Sequence, residues 1–477
     1  MTPRPTPSPR RMAALALAVA LLAGCATPGD RAQAARLDDG QALALAARTE
    51  ALPAADWWRV LGDAQLDTLI EQALRDQPSL AVARERVRRA QAQADVLLAA
   101  HGPQAQLSAS LTRQRYSEHG LVPAPIAGDT WSSGELQAAL AWSPDLFGAQ
   151  AAEQAAALGQ ARAARAEAAA AANGLATQIA RGHVALARLL AQREVLQAQT
   201  AQRERIRQIT QRRVAAGLDT RVEQVQADAA LPDLRVQLEA LDEQTTLLRR
   251  QLAVLSGQAP EALSGLSPRL ADLRSPALPS ALGADLLGRR PDLVAARWRV
   301  EASLADVRAA EAAFYPSINL VAYAGLSALG LDRLFDLGSR QLGVQPALRL
   351  PLFDGGRLRA ALQGRESERN AAIAQYNATL LDAVREAGDA LASEQSLQRQ
   401  RAEQARALAA AEQAHSIAEK RYAAGLGNQL TVLATETAVL AQRRNAVDLQ
   451  ARQLDNRLAL IKALGGGWID DTALAAR

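Results

Sequence analysis

The sequence contains an internal repeat whose second copy follows the first by about 210 residues. Pro78 and Pro291 open similar segments 213 residues apart, and Pro103 and Pro316 keep the same separation. Further along, the tetrapeptide Ala-Ala-Gly-Leu occurs twice at a separation of 208 residues. Because motifs that recur in the same order indicate a duplicated structural unit, we predict two halves with the same order of helices and strands.

Each half is predicted to begin with a helix, over about residues 63–100 and 285–313. Pro103 and Pro316 follow these helices, and proline cannot continue the hydrogen-bond pattern of a helix. Strict alternation of apolar and polar residues comes next, as around Leu107 and Leu111. A period of two residues predicts strands. The four predicted strands span about residues 104–115, 134–144, 317–326 and 341–351.

Ten alternating residues are enough for an outer-membrane strand with one face toward lipid and the other toward a wet lumen. A pair of amphipathic hairpins in a soluble sandwich is the alternative for any one segment. Four strands cannot enclose an aqueous lumen, and an open sheet edge in lipid leaves backbone groups without partners. If the strands cross a membrane, the chain must therefore oligomerise, and three copies would supply twelve strands.

The segments after the strands have the composition of long helices. Aromatic residues make up only 3% of the chain, whereas Ala, Leu, Gln, Arg and Glu are frequent, as is typical of helices packed through small side chains. Residues 149–216 lack proline and could form a helix about 100 Å long. The later helices carry leucines at steps of three, four and seven, which predicts coiled-coil seams. Pro232 is expected to kink one of them.

The N-terminal residues have the features of an export signal. Three arginines precede an apolar run, Met12–Ala23, that is too short to span a bilayer. The run ends in Leu-Ala-Gly-Cys25, the only cysteine in the chain, and this sequence resembles a bacterial lipobox. We expect cleavage before Cys25 and lipidation of that residue, because several acyl chains together give a stable membrane anchor. Ala26, rather than Asp, follows it and favours the outer membrane.

These features divide the chain into six predicted segments. They are a lipoprotein signal peptide (1–24), a lipidated N-terminal segment (25–62), a first repeat (63–256), an equatorial linker (257–284), a second repeat (285–464) and a C-terminal segment (465–477).

The charge pattern and composition argue against nucleic-acid binding and catalysis. The net charge is only +4, and arginines are interspersed with acidic residues throughout, which is typical of solvated helix faces rather than a basic binding patch. The four histidines have no ligand-like spacing, and the chain has no phosphate-binding loop or catalytic triad pattern. We therefore predict no catalytic residue, no metal and no cofactor other than the covalent lipid on Cys25.

Several motifs occur in order along the chain, and together they resemble the TolC/OprM-type outer-membrane efflux proteins, in particular the lipoprotein branch that serves RND multidrug pumps. The motifs are Leu-Ala-Gly-Cys25, Asp145-Leu-Phe-Gly148, Arg289-Arg-Pro-Asp-Leu293, Ala313-Phe-Tyr-Pro-Ser-Ile318, Phe353-Asp-Gly-Gly356 and Lys462-Ala-Leu-Gly-Gly-Gly-Trp468. The resemblance covers nearly the whole chain after Cys25.

The resemblance implies a mainly α-helical homotrimer with a small membrane β-barrel of twelve strands, continued by a tunnel of twelve helices across the periplasm. It implies an exit duct for small molecules such as drugs, in contact with outer-membrane lipids, a periplasmic adaptor and an inner-membrane RND-type pump. By the same resemblance, two helix-hairpin turns contact the adaptor. Their residues are Val214, Gly217, Leu218, Tyr422, Gly425 and Leu426.

Relatives in this family close the periplasmic end with a constriction of charged residues. Where they commonly read Leu-Asp-Ala-Gln after the second turn, this chain reads Leu-Ala434-Thr-Glu436, so Ala434 stands at the usual Asp position. Other carboxylates could supply the acidity, although each fits a solvated helix face equally well. These gate candidates are Asp219, Glu223, Asp228 and Glu436.

Two alternative functions remain at this point. A periplasmic structural or adaptor lipoprotein could bridge membranes without a pore, but adaptors need a globular β-rich domain beside a single hairpin, and this chain has two hairpins. A secretion-type outer-membrane duct would share the architecture and differ in its cargo.

Overall fold

The computed structural model describes residues 33–37, 54–276 and 289–469. The predicted signal peptide, Cys25, the start of the second repeat at 285–288 and the last residues, 470–477, lie outside the described residues. The helices are α1 (Ala64–Asp76), α2 (Pro78–His101), α3 (Ala149–Ala215), α4 (Arg221–Leu255), α5 (Pro291–Ala312), α6 (Arg357–Ala423) and α7 (Gln429–Ala463). The strands are β1 (Gln104–Arg115), β2 (Thr130–Trp142), β3 (Ser317–Leu329) and β4 (Arg340–Arg349). Within these ranges, no helix has both the length and the apolarity needed to cross a membrane.

The four strands form one antiparallel sheet in the order β1-β2-β3-β4. This sheet belongs to a compact unit that includes, among the described residues, 33–37, Val87–Ala163 and Ala296–Tyr376. The strand at 104–115 matches its predicted bounds, whereas β2 lies at 130–142 instead of 134–144 and β4 at 340–349 instead of 341–351. Pro144 and Pro351 closely follow these two strands, and proline has no N–H for the ladder, so both strands end earlier than predicted. β3 extends to 329, three residues beyond the predicted 326.

The first predicted helix, 63–100, is wrong as one element because the chain divides it into α1 and α2. Gln77 lies between them in an extended conformation, with φ −67° and ψ 121°. The residue before a proline is disfavoured in the helical region, so Pro78 forces the break. Asp63 caps α1 by accepting hydrogen bonds from the amides of Gln65 and Leu66.

The long helices match their prediction. α3 and α6 each contain 67 residues, which corresponds to about 100 Å of helix. α4 and α7 each contain 35 residues. α4 continues through Pro232, although proline cannot donate to the carbonyl four residues earlier.

Two junctions join the end of one helix to the start of another in the second compact unit, whose described residues are 54–86, 164–276, 289–295 and 377–469. The Gln77 side chain donates to the carbonyls of Val254 and Leu255 at the end of α4, both at 3.1 Å. The equivalent Arg290 donates to the carbonyl of Ala463 at the end of α7, at 3.4 Å. Because the last carbonyls of a helix lack intrahelical partners, these side chains satisfy them and bring α4 up to α2, and α7 up to α5.

The second unit contains the main apolar core. Residues of the predicted seams are buried here, including Leu252 on α4 and Leu454 and Ile461 on α7. The irregular segment after α4 packs on the same core through Leu266, Leu270 and Leu273. Burial of each large side chain contributes about 1.5–3 kcal/mol, so the seams and this segment hold the helices together.

A buried carboxylate links α6 to α7. Glu394 accepts hydrogen bonds from Arg457 at 2.6 Å and from Gln453 at 3.0 Å. Arg457 also donates to the carbonyl of Pro276, at 2.8 Å. Burial opposes ionisation of Glu394, but the hydrogen bonds from Arg457 and Gln453 outweigh it and lower the pKa of its carboxyl below the usual range. The pair therefore stays charged at neutral pH.

We predict that Glu394→Ala destabilises the helical unit by about 3–5 kcal/mol, because it leaves the Arg457 guanidinium half-buried without its counter-charge. Thermal unfolding followed by circular dichroism measures the change. Glu403→Ala is the matched control, since Glu403 pairs with Arg406 on the exposed surface of the same helix. This substitution should lower the free energy of unfolding by less than about 0.5 kcal/mol. Equal effects of the two substitutions would contradict the prediction.

Candidate functional site

One face of the sheet is apolar and exposed. The register aligns Leu107 with Ala138, Ala138 with Ala324, and Ala324 with Leu342, so these side chains share a face. The exposed fractions of Leu107 and Leu342 are 73% and 81%. A sheet that exposes a continuous apolar face needs an apolar environment on that side, and in an outer-membrane strand this environment is lipid.

The opposite face of the sheet is polar. Here Ser108 pairs with Gln137, Gln137 with Gly325, and Gly325 with Gln341. Glu135, the only acidic residue in the four strands, accepts a hydrogen bond from Gln341 at 3.3 Å. Neutral hydrogen-bonding side chains of this kind suit a water-filled lumen.

Aromatic side chains lie where the strands meet the helices. The rings of Phe147 and Tyr315 stack with their centroids 5.1 Å apart and an interplanar angle of 12°. Trp142, the last residue of β2, continues the apolar face. Aromatic rings favour the boundary between hydrocarbon and water, so these residues mark one edge of a membrane-facing band.

The two predicted helix-hairpin turns have the same backbone geometry. In the first, the amide of Leu218 donates to the carbonyl of Arg213 at 2.8 Å, and Gly217 donates to Val214 at 3.0 Å. The second turn repeats both bonds, from Leu426 to Arg421 and from Gly425 to Tyr422, at the same distances. Gly217 and Gly425 have positive φ angles of 69° and 71°. This hydrogen-bond pattern is the Schellman motif, which ends a helix with a left-handed residue.

Both turns expose large apolar side chains. Leu218 is 65% exposed and Leu426 is 71% exposed, and Tyr422 and Val222 are exposed beside them. In a Schellman motif the residue at this position frequently packs against the preceding helix, but here each leucine extends into solvent. Such paired apolar positions are suited to contact with another protein.

The gate candidates nearest the first turn are held within the chain. Asp219 accepts two hydrogen bonds from Arg213, both at 2.8 Å, and these bonds hold the pKa of Asp219 below its usual range. Glu223 completes a capping box at the start of α4, where its carboxylate accepts from the amide of Thr220 at 2.9 Å. In this single chain, Asp219 is therefore paired at the turn, and Glu223 caps the helix that follows.

The other two candidates pair with arginines on α3. Glu436 accepts two hydrogen bonds from Arg205, at 2.7 and 2.9 Å, and so joins α7 to α3. Asp228 lies 3.8 Å from Arg207, which also donates to Glu204. These arginine partners were not predicted from the sequence. For Arg213 a signal existed, because only a glycine turn separates it from Asp219, whereas Arg205 and Glu436 are 231 residues apart.

A sheet with an apolar and a polar face, attached to helices of 67 residues, defines a channel of the outer-membrane type. The chain belongs to the outer membrane efflux protein family, which it matches over residues 69–258 and 282–466. It is therefore an outer-membrane efflux channel, and its family and fold are those of transport proteins. Within the described ranges, no cluster of three or more His, Cys, Asp or Glu side chains could hold a metal ion.

Similar proteins include the multidrug resistance outer membrane protein MdtQ of Escherichia coli O157:H7, which is 34% identical over 460 residues, covering 94% of this chain and 96% of that protein. The fusaric acid resistance protein FusA of Burkholderia cepacia is 40% identical over 375 residues, covering 74% and 70%. The solved structure of the outer membrane protein VceC of Vibrio cholerae has a TM-score of 0.81 at 37% identity and covers 87% of this chain and 100% of that chain.

We predict that Gly217→Ala loosens the first turn, because a left-handed conformation costs an alanine about 1–2 kcal/mol. No atom lies within 4 Å of the added Cβ, so the cost is conformational. Hydrogen exchange of peptides spanning the turn should accelerate about tenfold, since protection follows the local opening free energy. Gly174→Ala in the interior of α3 is the control, since its Cβ also meets open space. In the Gly174→Ala control, hydrogen exchange of the surrounding helix should become slower, and faster exchange there would contradict the prediction.

Proposed function

We propose that the channel is a homotrimer in which three sheets close into a twelve-stranded β-barrel. The observation that carries this proposal is the sheet order, which leaves β1 and β4 as edges in a single chain beside an exposed apolar face. Unpaired backbone groups in lipid cost several kcal/mol each. Pairing β4 of one chain with β1 of the next removes both edges.

The helices support a tunnel of twelve columns. In each chain, α3 and α6 are two continuous columns, and the junctions at Gln77 and Arg290 join α4 to α2 and α7 to α5 as two further columns. Three chains then provide twelve. This arrangement treats 63–256 and 285–464 as equivalent repeats, joined by the linker at 257–284.

The channel serves a tripartite efflux system as the exit duct for small molecules. Two relatives are named for resistance to multiple drugs and to fusaric acid, which supports drug-like cargo. An inner-membrane RND-type pump supplies the energy, and a periplasmic adaptor contacts the two turns. Lipid on Cys25 adds an anchor to the barrel. An adaptor lipoprotein without a pore fits neither the family nor the two-faced sheet, and a secretion duct would differ in cargo.

We place the periplasmic constriction at the ends of α3, α4 and α7. Asp219, Glu223, Asp228 and Glu436 are its acidic candidates, with Ala434 in place of the usual Asp. The pair between Arg205 and Glu436 joins two helices, so its loss would free α7 to move away from α3. It therefore acts as a latch on the closed state.

Conductance in planar bilayers tests the channel and its latch. The purified trimer should give discrete channels, and Arg205→Ala should raise the open fraction about tenfold, because three exposed ion pairs of about 0.5 kcal/mol each are lost together. Arg203→Ala is the matched control two residues earlier on α3. A non-conducting trimer even with Arg205→Ala would contradict the duct, and an unmodified Cys25 in the peptide mass spectrum would contradict the lipid anchor.

The adaptor contact predicts weaker assembly when the apolar turns become polar. Leu218→Ser with Leu426→Ser should weaken adaptor binding about tenfold or more, because each leucine contributes about 1.5 kcal/mol when its exposed surface is buried. Surface plasmon resonance with an immobilised RND-type adaptor measures this. The control is Val236→Ser, an equally exposed apolar residue on α4, which should leave binding unchanged. If the control weakens binding as much, the turns are not the contact.

A further inference from the structure

Arginines end the apolar face of the sheet on the side away from the helices. On β1 the alternation that places Leu107 and Leu111 on this face continues through Arg113 and Arg115. On β4 the first residue is Arg340, which pairs with Leu326 and so lies on the same face. Both strands are edges of the sheet, and in the proposed barrel this end, away from the helices, would open to the cell exterior.

Two of these guanidinium groups are available for binding. Arg113 and Arg340 are exposed, and among the residues that the structure describes neither side chain forms a hydrogen bond or an ion pair, although both backbones pair within the sheet. Arg115 differs, because it donates to Glu118 at 3.2 Å and to the carbonyl of Gly128 at 2.9 Å. Glu118 therefore neutralises Arg115 and leaves the charges of Arg113 and Arg340 without compensation.

Closure of the proposed trimer brings these charges together. β4 has 10 residues and β1 has 12, and side chains on paired strands must share a face. Only two antiparallel registers give every residue of β4 a partner on β1 while keeping the apolar faces together. One register places Arg340 of one chain directly opposite Arg113 of the next chain, and the other places it opposite Arg115. In the second register, Arg113 is the neighbouring residue on the same face of β1.

Like charges directly opposite each other destabilise a sheet, and here they lie next to lipid. An anion between them would convert repulsion into attraction, and a guanidinium matches a phosphate through two parallel hydrogen bonds. Long arginine side chains at the end of an apolar band also reach the headgroup layer. The ligand that this layer supplies is the phosphate of an anionic lipid.

We propose that each junction between neighbouring chains binds the phosphate of an anionic outer-leaflet lipid, between Arg340 of one chain and Arg113 of the next. This inference rests on the trimeric barrel proposed above. The bound lipid crosslinks the two chains, so it stabilises the trimer as well as occupying its surface.

Native mass spectrometry of trimers released from phosphatidylcholine vesicles, with and without a phosphorylated glycolipid, tests the site. We expect the wild-type trimer to retain the glycolipid and to dissociate at a higher temperature in its presence. Arg113→Gln with Arg340→Gln should reduce retention roughly tenfold or more, as expected for the loss of charge-assisted hydrogen bonds. Arg113→Lys with Arg340→Lys should keep most of the binding, because both charges remain.

Arg349→Gln is the matched control, since Arg349 is an exposed arginine at the other end of β4, paired with Ser317 of the polar face. Unchanged glycolipid retention in the double glutamine variant would overturn the proposal. The proposal would also fail if this variant stabilised the trimer equally in vesicles with and without the glycolipid, because the two arginines would then only repel each other. Equal protection by inorganic phosphate in neutral vesicles would overturn the assignment to a lipid. A wild-type chain that is monomeric in every vesicle would instead reject the trimer itself.

Discussion

The architecture depends on one constraint, which is that a strand in lipid must satisfy its backbone hydrogen bonds with other strands. The described residues of one chain supply four strands, and the antiparallel order leaves β1 and β4 as the edges of their sheet. A barrel wide enough for an aqueous lumen needs many more strands. In the proposed trimer, oligomerisation is therefore a condition for forming the pore rather than an addition to it, and charged residues on the edge strands would acquire neighbours only in the assembly.

The helices meet the same requirement differently, because each satisfies its own backbone except at its ends. The structure therefore places specific side chains and turns at those ends. Gln77 and Arg290 donate to the carbonyls that end α4 and α7, and the Schellman turns at Gly217 and Gly425 satisfy the carbonyls that end α3 and α6. Satisfied ends allow separate helices to act as continuous columns, which is how a chain with breaks at proline can still line a long tunnel.

Features with a local physical cause could be predicted from the sequence. Alternation identified the strands because the side-chain period of a strand is two residues, and the glycine turns followed from the left-handed conformation that only glycine adopts easily. The break at Gln77 was missed, although Pro78 carried the signal. Partners distant in sequence could not be predicted, since nothing near Glu436 indicates that Arg205 will lie beside it. For the same reason, the sequence suggested gate carboxylates but not the arginines that hold them.

Charged residues are distributed differently over the polar face of the strands and over the helices near the turns. The polar face of the strands carries many glutamine, serine and threonine residues, with Glu135 as its only carboxylate and Arg349 as its only arginine, so in the proposed barrel this wall would offer solutes mainly hydrogen bonds. One ion pair lies at the first turn, between Arg213 and Asp219, and another joins α3 to α7 nearby, between Arg205 and Glu436. Because exposed ion pairs are individually weak, a closure built from them can be opened by modest binding energy from a partner. In the proposed trimer, a passive wall and a weakly latched end would together leave the choice of cargo to the partner that supplies it.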